Sequence, residues 1–152
     1  MSNRQKEIIG LILIAFSVLS IISLFGHDLT ENPSGIPANY NSSNYLGKYG
    51  LLLAHYHYII LGYTSIIFPI IFAYIAYILF TKKNIKSSLK SIIFILVLGV
   101  FYSTLMSFIA NISGNQILNN YFSGIIGVAF SNLFLDFLGI IGFGSILLIS
   151  LI

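Results

Sequence analysis

The chain has 152 residues, of which 57% are hydrophobic and 7% charged, with a net charge of +3. A soluble domain carries about 25% charged residues, so this composition excludes an ordinary water-exposed shell. The absence of Cys excludes a disulfide framework and a thiolate metal site. Seven Lys and Arg are a thin footprint for nucleic acid.

Met1 to Glu7 is polar, with Arg4 and Lys6, and reads as a short tail. Ile8 to Phe25 follows, 18 residues without a charge. At 1.5 Å per residue it covers about 27 Å, close to a bilayer core of about 30 Å. It is longer than a signal-peptide core and no small-x-small cleavage site follows Phe25, so it reads as an uncleaved span. Gly26 to Tyr49 is a polar loop with Asp28, Glu31, Pro33, Gly35, Pro37 and four Asn, a composition of irregular surface structure.

Gly50 to Phe80 is apolar for longer than one span needs. Leu51 to Tyr58, with His55 and His57 between tyrosines, reads as an approach at the interface, where polar ring atoms stay wet. Ile59 to Phe80 is the span proper. Pro69 lies in its middle and predicts a kink, because it cannot donate to the Ser65 carbonyl. Thr81 to Lys90 carries Lys82, Lys83, Lys86 and Lys90 and no acid. The third span is Ser91 to Ala110, and Asn111 to Asn120 reads as a short polar loop. Tyr121 to Ile152 divides into an interfacial helix over 123–138 and a fourth span from Gly139, which sets the single charge, Asp136, near the interface rather than at the costly bilayer centre. The 139–152 run is too short to span alone and ends on apolar residues, so a helix cut inside its length is expected.

The fold class is therefore all-α, a polytopic membrane protein with four transmembrane helices and short interfacial helices. Six of the seven basic residues, Arg4, Lys6, Lys82, Lys83, Lys86 and Lys90, fall on one side if the spans alternate; only Lys48 falls on the other. The positive-inside rule places the amino terminus, the 81–90 loop and any continuation after residue 152 in the cytoplasm.

Small residues recur every four positions. Gly99, Ser103 and Ser107 form one stripe, ending at Asn111; Ser123, Gly127 and Ser131 form another; Gly62, Ser65, Pro69, Ala73 and Ala76 share a face. Such stripes let helix backbones approach closely in lipid, either within the bundle or between subunits.

Catalytic signatures are missing. There is no GxxxxGK[ST] string to cradle a phosphate and no HExxH string. His27, His55 and His57 with Asp28 and Glu31 are the residues a metal would need, but His55 and His57, two apart, fall on different helix faces. No His after residue 57 could face them across a haem. Asp136 is the sole ionisable candidate for an ion path. No cofactor is expected.

One run of motifs resembles a known family. The span ending in Phe25-Gly26-x-Asp28 leads to Pro33-Ser34, then Asn44-Tyr-Leu46-Gly47-x-x-Gly50 and Leu53-Ala54-x-x-x-Tyr58. Leu61-Gly62-Tyr63 leads to Pro69, and after the third span come Ser123-Gly124-Ile-Ile-Gly127, Leu138-Gly139 and Gly142. This is similar to the amino-terminal four-helix membrane region of FtsK/SpoIIIE DNA translocases, over about residues 7–152. His55 departs from it, standing where family members often have an acid. The resemblance implies an inner-membrane domain at the division septum. It would anchor a cytoplasmic, ATP-driven, hexameric motor whose residues are not in this sequence. It also implies the lipid bilayer and other divisome membrane proteins as partners, and no nucleic acid contacted by this segment. A small transporter or channel subunit is the alternative.

Overall fold

The computed structural model of the chain describes residues 2–28, 31, 33, 41–83, 85–114 and 116–150. Gly35 and Pro37 of the first loop, and the chain end at 151–152, lie outside them. Among the described residues there is no strand; the elements are five helices and one short 3-10 turn. Four helical runs, Asn3–Phe25, Gly47–Phe80, Lys86–Ser113 and Tyr121–Ser150, are long and apolar enough to cross a membrane.

Helix α1 (Asn3–Phe25) starts with a capping box: the Gln5 N–H donates to Ser2 Oγ, and Ser2 N–H donates to Gln5 Oε1 at 2.8 Å. Helix α2 (Gly47–Leu61) continues three residues past Tyr58, where the sequence suggests a division. The backbone changes instead at Gly62, through a 3-10 turn over Gly62–Ile66, and resumes as α3 (Ile67–Phe80). This moves the disruption away from Pro69. Pro69 is the third residue of α3, in the first turn, where an N–H has no intrahelical acceptor to lose.

Helix α3 ends in a Schellman motif: Lys83 N–H donates to the Ile78 carbonyl and Lys82 N–H to the Leu79 carbonyl. Helix α4 (Ile85–Ser113) runs beyond the apolar core at both ends, and α5 (Gln116–Ser150) begins within what the sequence suggests is a loop. Helix α5 is broken at Gly124 (φ 60°) and Gly139 (φ 65°), so its segments are 116–123, 125–138 and 140–150.

The chain forms two compact units. Residues 1–57 and 65–98 make the first. In it α1 and α3 run antiparallel, with Gly10 packed under the Phe80 ring and Ser17 Oγ donating to the Pro69 carbonyl at 2.8 Å. Residues 58–64 and 99–152 make the second, with Phe108, Phe143 and Leu147 as its buried apolar cluster. Many large apolar side chains remain exposed, Leu11 at 67% and Ile141 at 86% among them, as faces turned to lipid would be.

Candidate functional site

The second unit is organised around a polar seam on the C-terminal half of α4. Ser103, Ser107 and Asn111 stand four apart and so project from one face. Ser103 and Ser107 are fully buried. Ser103 Oγ donates to the Ser123 carbonyl. Ser107 Oγ donates to Asn119 Oδ1 at 2.7 Å, and Asn119 Nδ2 donates to Asn111 Oδ1 at 2.9 Å. Asn111 Nδ2 reaches Ser131 Oγ at 3.4 Å and Asn132 Oδ1 at 3.5 Å. Asn119 is thus a hub with its donor and acceptor both used, which is why an amide can be buried there.

The order of these partners reverses at Gly124. Before it, the chain meets Asn111 and Ser107 through Asn119, then Ser103 through Ser123. After it, Gly127 packs on Ser103, and Ser131 lies at Asn111. The 116–123 and 125–138 segments therefore form a tight helical hairpin along one face of α4. After Gly139 the chain returns, with Phe143 against Phe108 at a centroid distance of 4.9 Å.

The tip of this hairpin meets the end of α2. Gly62 (φ 61°) and Gly124 (φ 60°) approach backbone to backbone. A β-carbon at Gly124 would lie 2.5 Å from Gly62 N and 2.7 Å from the Ile60 carbonyl, and one at Gly62 would lie 2.6 Å from Ser123 N. Both glycines are demanded twice, by a left-handed backbone and by lack of space. Tyr63 covers the contact, its ring 4.6 Å from that of Phe122, and Tyr58 packs on Tyr63 at 5.4 Å. Beside Gly124 opens an apolar groove of about 400 Å³ lined by Ile59, Ile125, Val128 and Ala129.

The stripe residues thus have defined places. Ser103, Ser107, Ser123, Gly127 and Ser131 come together in the seam. Gly62 joins them through Gly124, and Gly99 is buried one turn before Ser103. Pro69 belongs to the first unit and accepts from Ser17. Asn119, Ser17 and Ser23 are absent from the sequence-derived set. Their available signal was a polar residue spaced three or four from another on an otherwise apolar helix.

The first unit has its own anchor for the loop that follows α1. Asn44 Nδ2 donates to the Ser23 carbonyl at 2.8 Å, and Ser23 Oγ donates to the Gly50 carbonyl. The Glu31 carboxylate accepts from Ser42 Oγ at 2.8 Å and Ser43 N–H at 2.9 Å. The His27 and His55 rings lie 6.5 Å apart. Burial holds the His27 pKa below its ordinary value, and His55 adds to the shift against the opposing pull of Asp28 and Glu31. His57 faces elsewhere, its Nδ1 2.7 Å from the Leu53 carbonyl and its ring on Phe68. Among the described residues no group of three or more His, Cys, Asp or Glu could hold a metal ion. Asp136 is exposed.

Arg4 is exposed and Lys6 half-buried on the first turns of α1; Lys82, Lys83, Lys86 and Lys90 are exposed. The α1–α3 packing brings the Arg4–Lys6 end and the Lys82–Lys83 end to the same side of the unit.

A family model described as the 4TM region of DNA translocase FtsK/SpoIIIE matches residues 2–152. No curated protein and no solved structure matches the chain.

Proposed function

Because this chain belongs to the family of FtsK/SpoIIIE membrane regions, we propose that it anchors a DNA translocase in the bacterial cytoplasmic membrane and directs it to the division septum. The observation that carries this reading is the match from residue 2 to residue 152, over a chain with four membrane-length helical runs. In FtsK/SpoIIIE translocases the ATP-driven motor is a separate region from this membrane domain, and this sequence contains no phosphate-binding loop. The motor faces the cytoplasm, so the amino terminus does too. The segregation of six of seven cations to one side supports that orientation. The spans are drawn from the four membrane-length runs. The hairpin of 116–123 and 125–138, expected from sequence at the interface, instead enters the bilayer beside α4, because Ser123 and Gly127 pack on Ser103 well inside the 91–110 stretch. The partners are the bilayer and other divisome membrane proteins. Hexamer formation by the motor makes the chain part of a homo-oligomer, and this segment itself contacts no DNA.

A fluorescent protein fused to the amino terminus tests both parts in a dividing bacterium. A fluorescent band at midcell is expected; uniform peripheral fluorescence would refute septal targeting. Alkaline phosphatase inserted in the 26–49 loop should be active, and an inactive insertion beside an active amino-terminal fusion would reverse the topology.

A further inference from the structure

The cationic end of the first unit is more ordered than a topology signal requires. The antiparallel packing of α1 on α3 brings Arg4 and Lys6 to the end where Lys82 and Lys83 follow Phe80. Lys86 and Lys90 stand on the first two turns of α4, in the same unit. One acid, Glu7, accompanies these six cations. Lys82 and Lys83 follow one run long enough to cross a bilayer, and Arg4, Lys6, Lys86 and Lys90 stand in the first turns of two others, which sets them all at headgroup depth.

Two details at the end of α3 go further. Lys82 has φ 55°, the sole positive φ among the described non-glycine residues. It occupies the Schellman position that glycine fills without a clash between Cβ and carbonyl oxygen. A cation stands there against its own conformational preference. Lys83 is held in place: its ammonium group lies 3.2 Å from the Tyr77 hydroxyl and 4.9 Å from the centroid of the Tyr77 ring. A long flexible side chain is thereby ordered at the edge of a span, beside an aromatic residue suited to the interface.

We propose that this end of the chain is a binding surface for anionic phospholipid headgroups, with Lys82 and Lys83 at its centre and Arg4, Lys6, Lys86 and Lys90 around it. The ammonium and guanidinium groups donate hydrogen bonds to headgroup phosphate oxygens. Near an anionic surface each such charge strengthens association by up to about fivefold. Of the functional reading, the proposal uses only the membrane-length runs, so it stands or falls separately from septal targeting.

The test uses the full chain reconstituted in phosphatidylcholine vesicles, with spin-labelled phosphatidylglycerol and phosphatidylcholine compared for association with the protein. Phosphatidylglycerol should associate severalfold more strongly, with the preference shrinking in high salt. Lys82→Gly should hold or raise the thermal midpoint while lowering the preference between about twofold and fivefold. A purely structural lysine would show no such opposition of signs. Lys82→Arg should keep the preference, and the Lys82→Gln/Lys83→Gln pair should lower it further. Equal association of the two lipids with the parent chain would overturn the proposal, as would a preference unmoved by Lys82→Gly and by the double substitution. A preference abolished by phosphate but not by chloride at matched ionic strength would assign the surface to a soluble phosphate and also overturn it.

Discussion

Replacing Gly127 by Ala probes the hairpin's packing at its tightest point within a helix. An added β-carbon would lie 2.5 Å from the Ser103 carbonyl oxygen and 2.6 Å from its carbonyl carbon. Ordinary contact between heavy atoms begins at about 3.5 Å, so the 125–138 segment must retreat from α4 by about 1 Å. Overpacking of this kind costs about 1–3 kcal/mol. The retreat also opens the Ser103–Ser123 bond across the hairpin tip, adding about 0.6–1 kcal/mol. Helix propensity works the other way, favouring Ala over Gly by about 1 kcal/mol. The net destabilisation is about 1–3 kcal/mol, read from unfolding in mixed micelles by circular dichroism. Adding Ser103→Gly should not restore stability: it removes the contact with Ser103 Oγ but leaves the collisions with the Ser103 carbonyl oxygen and carbon in place, and it deletes the bond to Ser123. A Gly127→Ala chain as stable as the parent, or more stable, would refute the packing argument.

Gly139→Ala and Gly124→Ala share a positive-φ, extended-ψ backbone that glycine alone adopts readily, worth about 1–3 kcal/mol each for an L side chain. Only position 124 adds a backbone collision, with Gly62 and Ile60, so Gly124→Ala should be clearly the more destabilising in the same assay. Asn119→Ala strands the Ser107 hydroxyl and the Asn111 carbonyl and should cost about 1–3 kcal/mol, against about 0.6–1 for Ser107→Ala. The double substitution should fall well short of the sum, a coupling that a double-mutant cycle measures directly. His27 has a folded-state pKa below its unfolded value of about 6.5. Its contribution to stability is therefore present above that value and is lost as pH falls through it toward the lower folded pKa. Protection factors at residues 24–28 and 44–50, exchange rates taken relative to the intrinsic rate at each pH, should fall below about pH 6.5, and His27→Gln should flatten that response.

What could be read from the sequence follows from what each feature needs. A run such as Ile8 to Phe25 declares a membrane-length helix without any tertiary information, because length and lack of charge suffice. A spacing of four places Ser103 with Ser107, and Gly127 with Ser131, on common faces by helix geometry alone. Which face meets which is long-range information, and no periodicity carries it. Asn119 illustrates the gap. Within a cluster of Asn and Gly it has the composition of a turn, and only the partners at Ser107 and Asn111, 12 and 8 residues away, make its burial in a helix favourable. The break before α3 is a second case. Pro69 looks like the helix breaker, yet a proline in a first turn disrupts nothing, and Gly62 takes the irregular backbone because Gly124 presses against it. The capping of α3 by a lysine with positive φ has no sequence signature at all, since glycine or asparagine is the residue expected there.

The hydrogen bonds share a logic that links the two units without reference to their arrangement. In each, an unbroken helix supplies serine hydroxyls and a broken run supplies main-chain carbonyls. In the first unit, Ser17 and Ser23 of α1 donate to Pro69 and Gly50, on the run interrupted at Gly62. In the second, Ser103 of α4 donates to Ser123, the residue before the Gly124 break. Lipid offers no hydrogen bonds, so irregular backbone within a membrane must be satisfied by protein. Apolar burial adds little between helices already surrounded by hydrocarbon, which leaves close packing and these bonds as the forces that hold the breaks in place. Serine meets both needs, being small enough for close approach and carrying the donor a carbonyl requires. A serine-to-alanine change at 17, 23 or 103 keeps the close approach and removes only the donor. Each should therefore loosen the broken run it faces, read as faster hydrogen exchange there, while leaving its own helix intact.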